Sequence, residues 1–150
     1  MNSIVFENVC KSYGEARIVK SLNLEIKEGE RLILLGPSGC GKTTTLRMIA
    51  GLEDITSGQL KMGGQVVNDI APGERNIAMV FQSYALFPHL SVWDNITFGL
   101  HIQKLPEAEI KKRADEALSI LNLQGYENYK PKQLSGGQKQ RVALCRALVK

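Results

Sequence analysis

The chain has 150 residues, 43% hydrophobic and 23% charged, a balance that suits one globular domain or part of one and excludes a disordered polymer. No apolar run approaches the ~18 residues that cross a membrane, and Met1–Glu7 lacks the layout of a signal peptide, so the chain is expected in the cytoplasm. The net charge of +4 is scattered, and three separated cysteines, Cys10, Cys40 and Cys145, argue against a disulfide framework or a zinc site.

In chain order, Ile4, Phe6 and Val9 predict a strand over residues 3–9, and Leu22, Leu24 and Ile26 predict a second. Between them Lys11-Ser12-Tyr13-Gly14 reads as a polar turn carrying one aromatic. Arg31-Leu32-Ile33-Leu34-Leu35 reads as a short buried strand, and Thr45 to Ala50 as a helix that stops at Gly51. From Gly58 to Val67 two short strands meet at Gly63-Gly64, a hairpin signal. Ile77-Ala78-Met79-Val80-Phe81 is a continuous apolar run suited to a central buried strand.

Ser91 can cap a helix through about Phe98. Pro106 suits the first residue of a longer helix, whose Ile110, Ala114, Ala117, Leu118 and Leu121 form one stripe. Lys111-Lys112-Arg113 is followed at once by Asp115 and Glu116. It reads as a solvated helix face, and no nucleic-acid partner is expected. A last helix follows Ser135 and carries Val142, Cys145 and Leu148. Antiparallel strands first, then strands alternating with helices, predict an α/β fold. A mainly parallel core would carry an antiparallel N-terminal β subdomain and an inserted helical subdomain. The expected bounds are core and β subdomain about 1–84, insert about 85–133 and last helix 135–149.

Gly36-Pro37-Ser38-Gly39-Cys40-Gly41-Lys42-Thr43, followed by Thr44, fits the phosphate-loop pattern G-x-x-x-x-G-K-[ST]. Glycines let the backbone wrap an oxygen-rich anion, and successive N–H groups and the helix dipole point at the phosphates. Lys42 is expected to reach the β- and γ-phosphates and the Thr43 hydroxyl to ligate Mg²⁺. A glycine-rich turn that merely contains Lys-Thr is the bland alternative, and the strand before and helix after weigh against it. Cys40, at a helix start beside a lysine, is expected to have a lowered thiol pKa.

Leu134-Ser135-Gly136-Gly137-Gln138 is the second strong signal. Ser135 with Gln138 three residues on is a capping box. That explains Ser and Gln but not two glycines at a helix start, each costing about 1 kcal/mol of helix propensity. They make sense where a second anion must come close.

With both motifs the sequence resembles the ATP-binding subunit of an ABC transporter, over essentially all 150 residues. The resemblance implies that Tyr13 stacks on adenine and that Gln82 matches the glutamine contacting Mg²⁺ and the attacking water. It makes Lys42 and Gln82 the catalytic candidates, Thr43 and Gln82 the Mg²⁺ ligands, and ATP with Mg²⁺ the cofactors. The stretch from Ser83-Tyr84-Ala85-Leu86-Phe87-Pro88-His89 to Ile96 is similar to importer subunits for maltose-type sugars, glycerol phosphate, polyamines, ferric iron and sulfate. There it implies a docking surface for a transmembrane permease subunit, with an extracytoplasmic solute-binding protein involved indirectly. The implied location is peripheral, at the cytoplasmic face of the cell membrane. Two subunits would pair head to tail, so that Ser135, Gly136, Gly137 and Gln138 of one meet the ATP held on the phosphate loop of the other. Sugar or glycerol phosphate is the first expectation for the solute.

The family also needs an apolar strand ending in Asp-Glu and a later histidine, and neither is present up to Lys150. His89 and His101 match no such position. The chain is therefore expected to be the first part of a longer subunit, to hydrolyse little on its own and to expose apolar surface.

Overall fold

A long antiparallel hairpin begins the computed structural model, which describes residues 3–150: β1 spans Ile4–Tyr13 and β2 spans Ala16–Ile26. Phe6 and Val9 stand an odd number of residues apart, so a regular strand would send them to opposite faces. Both are buried. A bulge reconciles the two: Asn8 adopts φ 49°, and the pairing with β2 shifts register between Phe6 and Val9. Asn23 closes the bulge, accepting from the Asn8 amide at 2.8 Å and donating to Asn8 Oδ1 at 3.0 Å.

Strands β3 (Ser57–Met62) and β4 (Gln65–Val66) complete a sheet of order β2-β1-β3-β4, antiparallel throughout. Gly58 sits at φ +91° where any Cβ would run into the Asn8 carbonyl, so only glycine lets β3 pass the bulge. Helix α1 (Lys42–Ile49) buries Met48 in a core with Phe6, Val9, Val19, Leu60, Met62 and Val67. The glycine hairpin stands as expected. The turn does not begin at Lys11, because β1 runs on to Tyr13 and only Gly14 and Glu15 turn.

Two expected strands differ. Neither Arg31–Leu35 nor Ile77–Phe81 pairs into a sheet among the described residues. Ile33 and Leu35 are 77% and 88% exposed, and Leu32, Val80 and Phe81 are exposed as well. An apolar run becomes a buried strand only when neighbours take up its N–H and C=O groups. The described strands pair only with one another, in the antiparallel sheet.

The chain divides into two compact units, Met1–Ile77 and Ala78–Lys150. The second is helical: α2 (Val92–Ile102), α3 (Glu107–Ile120), a 3-10 turn at Pro131–Gln133 and α4 (Gly136–Leu148). Val92, Ile96 and Leu100 of α2 meet Ile110, Ala114 and Leu118 of α3 and Val142 and Cys145 of α4. Each set lies on one helical stripe. Helix α2 runs a turn beyond Phe98, because Leu100 still buries its side chain. Pro106 caps α3 from outside, its carbonyl accepting from the Glu109 and Ile110 amides.

The free amides at the start of α2 are all accounted for. Val92 and Trp93 donate to the Tyr129 and Glu127 carbonyls, Asp94 to Ser91 Oγ at 3.0 Å, and Asn95 to the Ser91 carbonyl.

Candidate functional site

In the first unit the loop from Gly36 to Thr44 leads into α1 as the motif requires. Gly39 and Gly41 adopt φ 81° and 93°, left-handed values that favour glycine. Gly41 is the N-cap and supplies no side-chain acceptor, and the first turn of α1 has no acidic residue. Helices α2 and α4, by contrast, cap themselves with Ser91–Asp94 and Ser135–Gln138 boxes. The start of α1 is therefore a set of amides and a positive dipole end with no acceptor from its own first turn.

Lys42 Nζ donates to the Gly36 and Pro37 carbonyls, at 2.7 Å each, and lies 3.5 Å from Cys40 Sγ. The ammonium is thus held over the mouth of the loop. Pro37, Ser38 and Cys40 are exposed. A Cβ at Gly36 would stand 2.7 Å from Cys40 Sγ, which would have to move aside.

Two threonines in the same turn behave differently. Thr45 Oγ1 donates to the Gly41 carbonyl at 2.9 Å and is buried. Thr43 is exposed, and its hydroxyl has no hydrogen bond among the described residues. Those residues contain no group of three His, Cys, Asp or Glu side chains able to hold a metal ion. The donor set fits a cation bound chiefly by phosphate oxygens, with the Thr43 hydroxyl as a protein ligand.

The far end of α1 is held too. Arg75 is buried and donates to the Met48 carbonyl at 2.7 Å and the Ile49 carbonyl at 3.0 Å. It also donates to Val67 and Ile70, at 2.6 and 2.9 Å. Burial pulls its pKa below the usual arginine value, and the charge of Asp54 acts in the opposite direction. A cation at a helix C-terminus is favoured by the dipole that favours an anion at the other end.

Tyr13 lies at the tip of the β1–β2 hairpin, half exposed, paired across the ladder with Ala16. The same hairpin backs the phosphate loop: a methyl on Gly41 would stand 3.3 Å from Ile18 Cγ2 and 3.4 Å from Val19 Cγ2. Tyr13 and the loop therefore belong to one neighbourhood of the first unit.

The remaining expected residues belong to the second unit. Gln82 is exposed in a turn where Tyr84 and Ala85 both take positive φ, 63° and 48°. The segment from Ala85 to Ser91 is tightly held. Buried Asn95 accepts from the Phe87 amide at 2.8 Å and donates to the carbonyls of Phe87, Leu90 and Ser91 at 3.1, 3.2 and 2.8 Å. Arg146 of α4 donates to the Ala85 carbonyl at 2.6 Å and stands 5.0 Å over the Phe87 ring, which packs on Phe98 at 4.7 Å. Leu86 and Trp93 pack against the helical core.

Ser135 Oγ accepts from the Gln138 amide at 3.2 Å, and Gln138 Oε1 accepts from the Ser135 amide at 2.8 Å. Exposed Gly136 and Gly137 leave open backbone beside this closed box. Lys11, Arg75, Asn95 and Arg146 carry no signal in the sequence. Each is a polar side chain whose partners lie beyond its own helix or strand, so no motif spacing points to it.

Residues 19–150 match a family model described as ABC transporter. The chain is 56% identical to the maltose/maltodextrin import ATP-binding protein MalK of Vibrio cholerae over 99% of its length and 40% of the relative's. It is 55% identical to the Fe(3+) ions import ATP-binding protein FbpC of Photobacterium profundum, over 99% of this chain and 42% of the relative. Against the sn-glycerol-3-phosphate import ATP-binding protein UgpC of Ruegeria pomeroyi the figure is 51%, over 100% and 43%. A solved dimeric structure of MJ0796, a bacterial ABC transporter cassette, superposes with a TM-score of 0.86 at 38% identity, covering 97% of this chain and 69% of that one. A second MJ0796 structure, in a post-hydrolysis state bound to ADP and Pi, matches with a TM-score of 0.86 at 37% identity, with the same coverage. The chain spans about 40% of the length of the curated relatives it matches.

Proposed function

The chain belongs to the ABC transporter family, and from that premise we propose that it binds ATP at residues 36–44 as part of an importer's ATP-hydrolysing subunit. One observation carries the reading: the glycine loop delivers Lys42 and the uncapped start of α1 to the same place. An ATP phosphate supplies the acceptors that this helix end lacks, and Lys42 exchanges neutral carbonyls for charged oxygens, which make hydrogen bonds roughly twice as strong. Mg²⁺ would be held by phosphate oxygens and the Thr43 hydroxyl, and would offset phosphate charge. By the family resemblance, Gln82 of the second unit would orient the attacking water.

The second anion-ready helix start, Ser135 to Gln138, serves a nucleotide held by another copy. Two subunits then pair head to tail with ATP between the phosphate loop of one and the motif at residues 134–138, the family's signature, of the other. ATP favours the closed pair, and loss of the γ-phosphate releases it. Residues 83–96 carry that motion to a transmembrane permease at the cytoplasmic face of the membrane, and an extracytoplasmic solute-binding protein takes part indirectly. In this division residues 1–84 are core and β subdomain, 85–133 the helical insert and 135–149 the signature helix. Sugar or glycerol phosphate is the proposed solute, supported by the maltose and glycerol-phosphate relatives. The iron relative keeps ferric iron as the competing reading.

Ser135→Arg tests the pairing. In the natural full-length protein it should leave ATP binding within about twofold and abolish ATP-driven association in sedimentation, because only the signature surface meets the partner's nucleotide. Association retained in the variant would reject the head-to-tail arrangement.

A further inference from the structure

Lys11 is a lysine at a buried strand position. Its ammonium makes an ion pair with Glu53 Oε1 at 2.7 Å, donates to the Asp54 carbonyl at 2.7 Å and stands 4.7 Å from the centroid of the Tyr13 ring. Burying such a charge is costly unless it is paired, and here the partners are Glu53, the Asp54 carbonyl and the Tyr13 ring. Lys11 and Tyr13 are two residues apart on β1, and the ammonium–ring contact spans the register irregularity between Lys11 and Ser12.

The segment bearing Glu53 and Asp54 is stapled to that strand. The Thr56 amide donates to the Cys10 carbonyl at 2.8 Å, and Thr56 Oγ1 accepts from the Ser12 amide at 3.0 Å. The cation under the ring is therefore held in place from two directions.

A cation–π contact uses one face of an aromatic ring and leaves the other. Tyr13 remains 48% exposed. Its ladder partner Ala16 is two residues from Ile18, which backs the phosphate loop. The cation also draws π density toward itself, which lessens repulsion when a nucleobase stacks on the opposite face.

We propose that the Lys11–Glu53 pair is a positioning unit for Tyr13, holding its ring so that one face receives the base of the nucleotide whose phosphates lie on residues 36–44. The inference rests on the phosphate-site reading above and on Tyr13 as the base platform that the resemblance implies, and it adds the role of Lys11 and Glu53. Lys11 touches no nucleotide; it acts through the ring.

Equilibrium binding of Mg·ATP and of Mg·tripolyphosphate, a ligand with phosphates and no base, separates the two levels. The wild-type protein should bind ATP at least about tenfold more tightly than tripolyphosphate, the increment expected of one stacked base. Lys11→Met should cut that ratio about fivefold while tripolyphosphate affinity stays within about twofold. Lys11→Arg, which keeps a cation over the ring, should restore it. In a Tyr13→Ala background Lys11→Met should change nothing further.

If Lys11→Met weakens both ligands equally, or leaves the ratio unchanged, the positioning role is wrong while phosphate binding stands. A ratio unaffected by Tyr13→Ala rejects stacking on Tyr13 and the inference with it. Failure of the wild-type protein to bind either ligand rejects the phosphate-site reading itself, and the inference falls with it.

Discussion

Cys40 and Cys145 are the same residue in opposite surroundings. Cys40 is exposed in the phosphate loop, 3.5 Å from the Lys42 ammonium. Cys145 is fully buried, donates to the Ala117 carbonyl at 3.4 Å, and burial pushes its thiol up to about 11. The thiolate is the reactive form, so at pH 8 Cys145 stays protonated and inert in the folded protein. Maleimide at pH 8 should label Cys40, and Mg·ATP should slow that labelling. Cys145 should react only after unfolding, when its pKa returns to an ordinary value. Mass spectrometry of digests reads both effects, and equal Cys40 labelling with and without ATP would contradict a nucleotide on this loop. The residues of this site were legible because a phosphate loop is contiguous and each position has a local job. Lys11 and Arg75 were not, because a lysine or arginine looks solvent-facing until the fold supplies Glu53 for one and the Met48 and Ile49 carbonyls for the other.

Among the elements, the amphipathic helices follow from their apolar period, and the Ser91 and Ser135 caps stand where local spacing puts them. Helix hydrogen bonds close within a few residues, so local sequence suffices. Strand pairing depends on remote neighbours. That is why Ile77–Phe81, read as a central strand, runs without a sheet partner among the described residues, and why β1 extends past its expected end to Tyr13. The bulge at Asn8 was also hidden, since it is set by register with β2 and β3. The segment 85–91 depends on one buried side chain of α2. Asn95→Ala removes its bonds to Phe87, Leu90 and Ser91 together and should destabilise the protein by about 2–3 kcal/mol. A urea midpoint lowered with an unchanged slope would bear this out. A shift below about 0.5 kcal/mol would show that the segment holds itself.

At the scale of the molecule, the two compact units carry different parts of one proposed cycle. The first holds residues 36–44 and Tyr13, and the second holds Gln82, residues 83–96 and residues 134–138. The central claim is that Lys42 and the start of α1 bind the phosphates of ATP. Calorimetric titration of Mg·ATP into the wild-type protein and into Lys42→Ala tests it most directly, with the unfolding midpoint of each recorded alongside. The account predicts measurable binding by the wild type, weakened at least about tenfold in the variant, with little change in midpoint, since a charged hydrogen bond to phosphate contributes roughly 1.5–3 kcal/mol. Equal affinities for the two proteins, or a folded wild type that takes up no ATP, would contradict it.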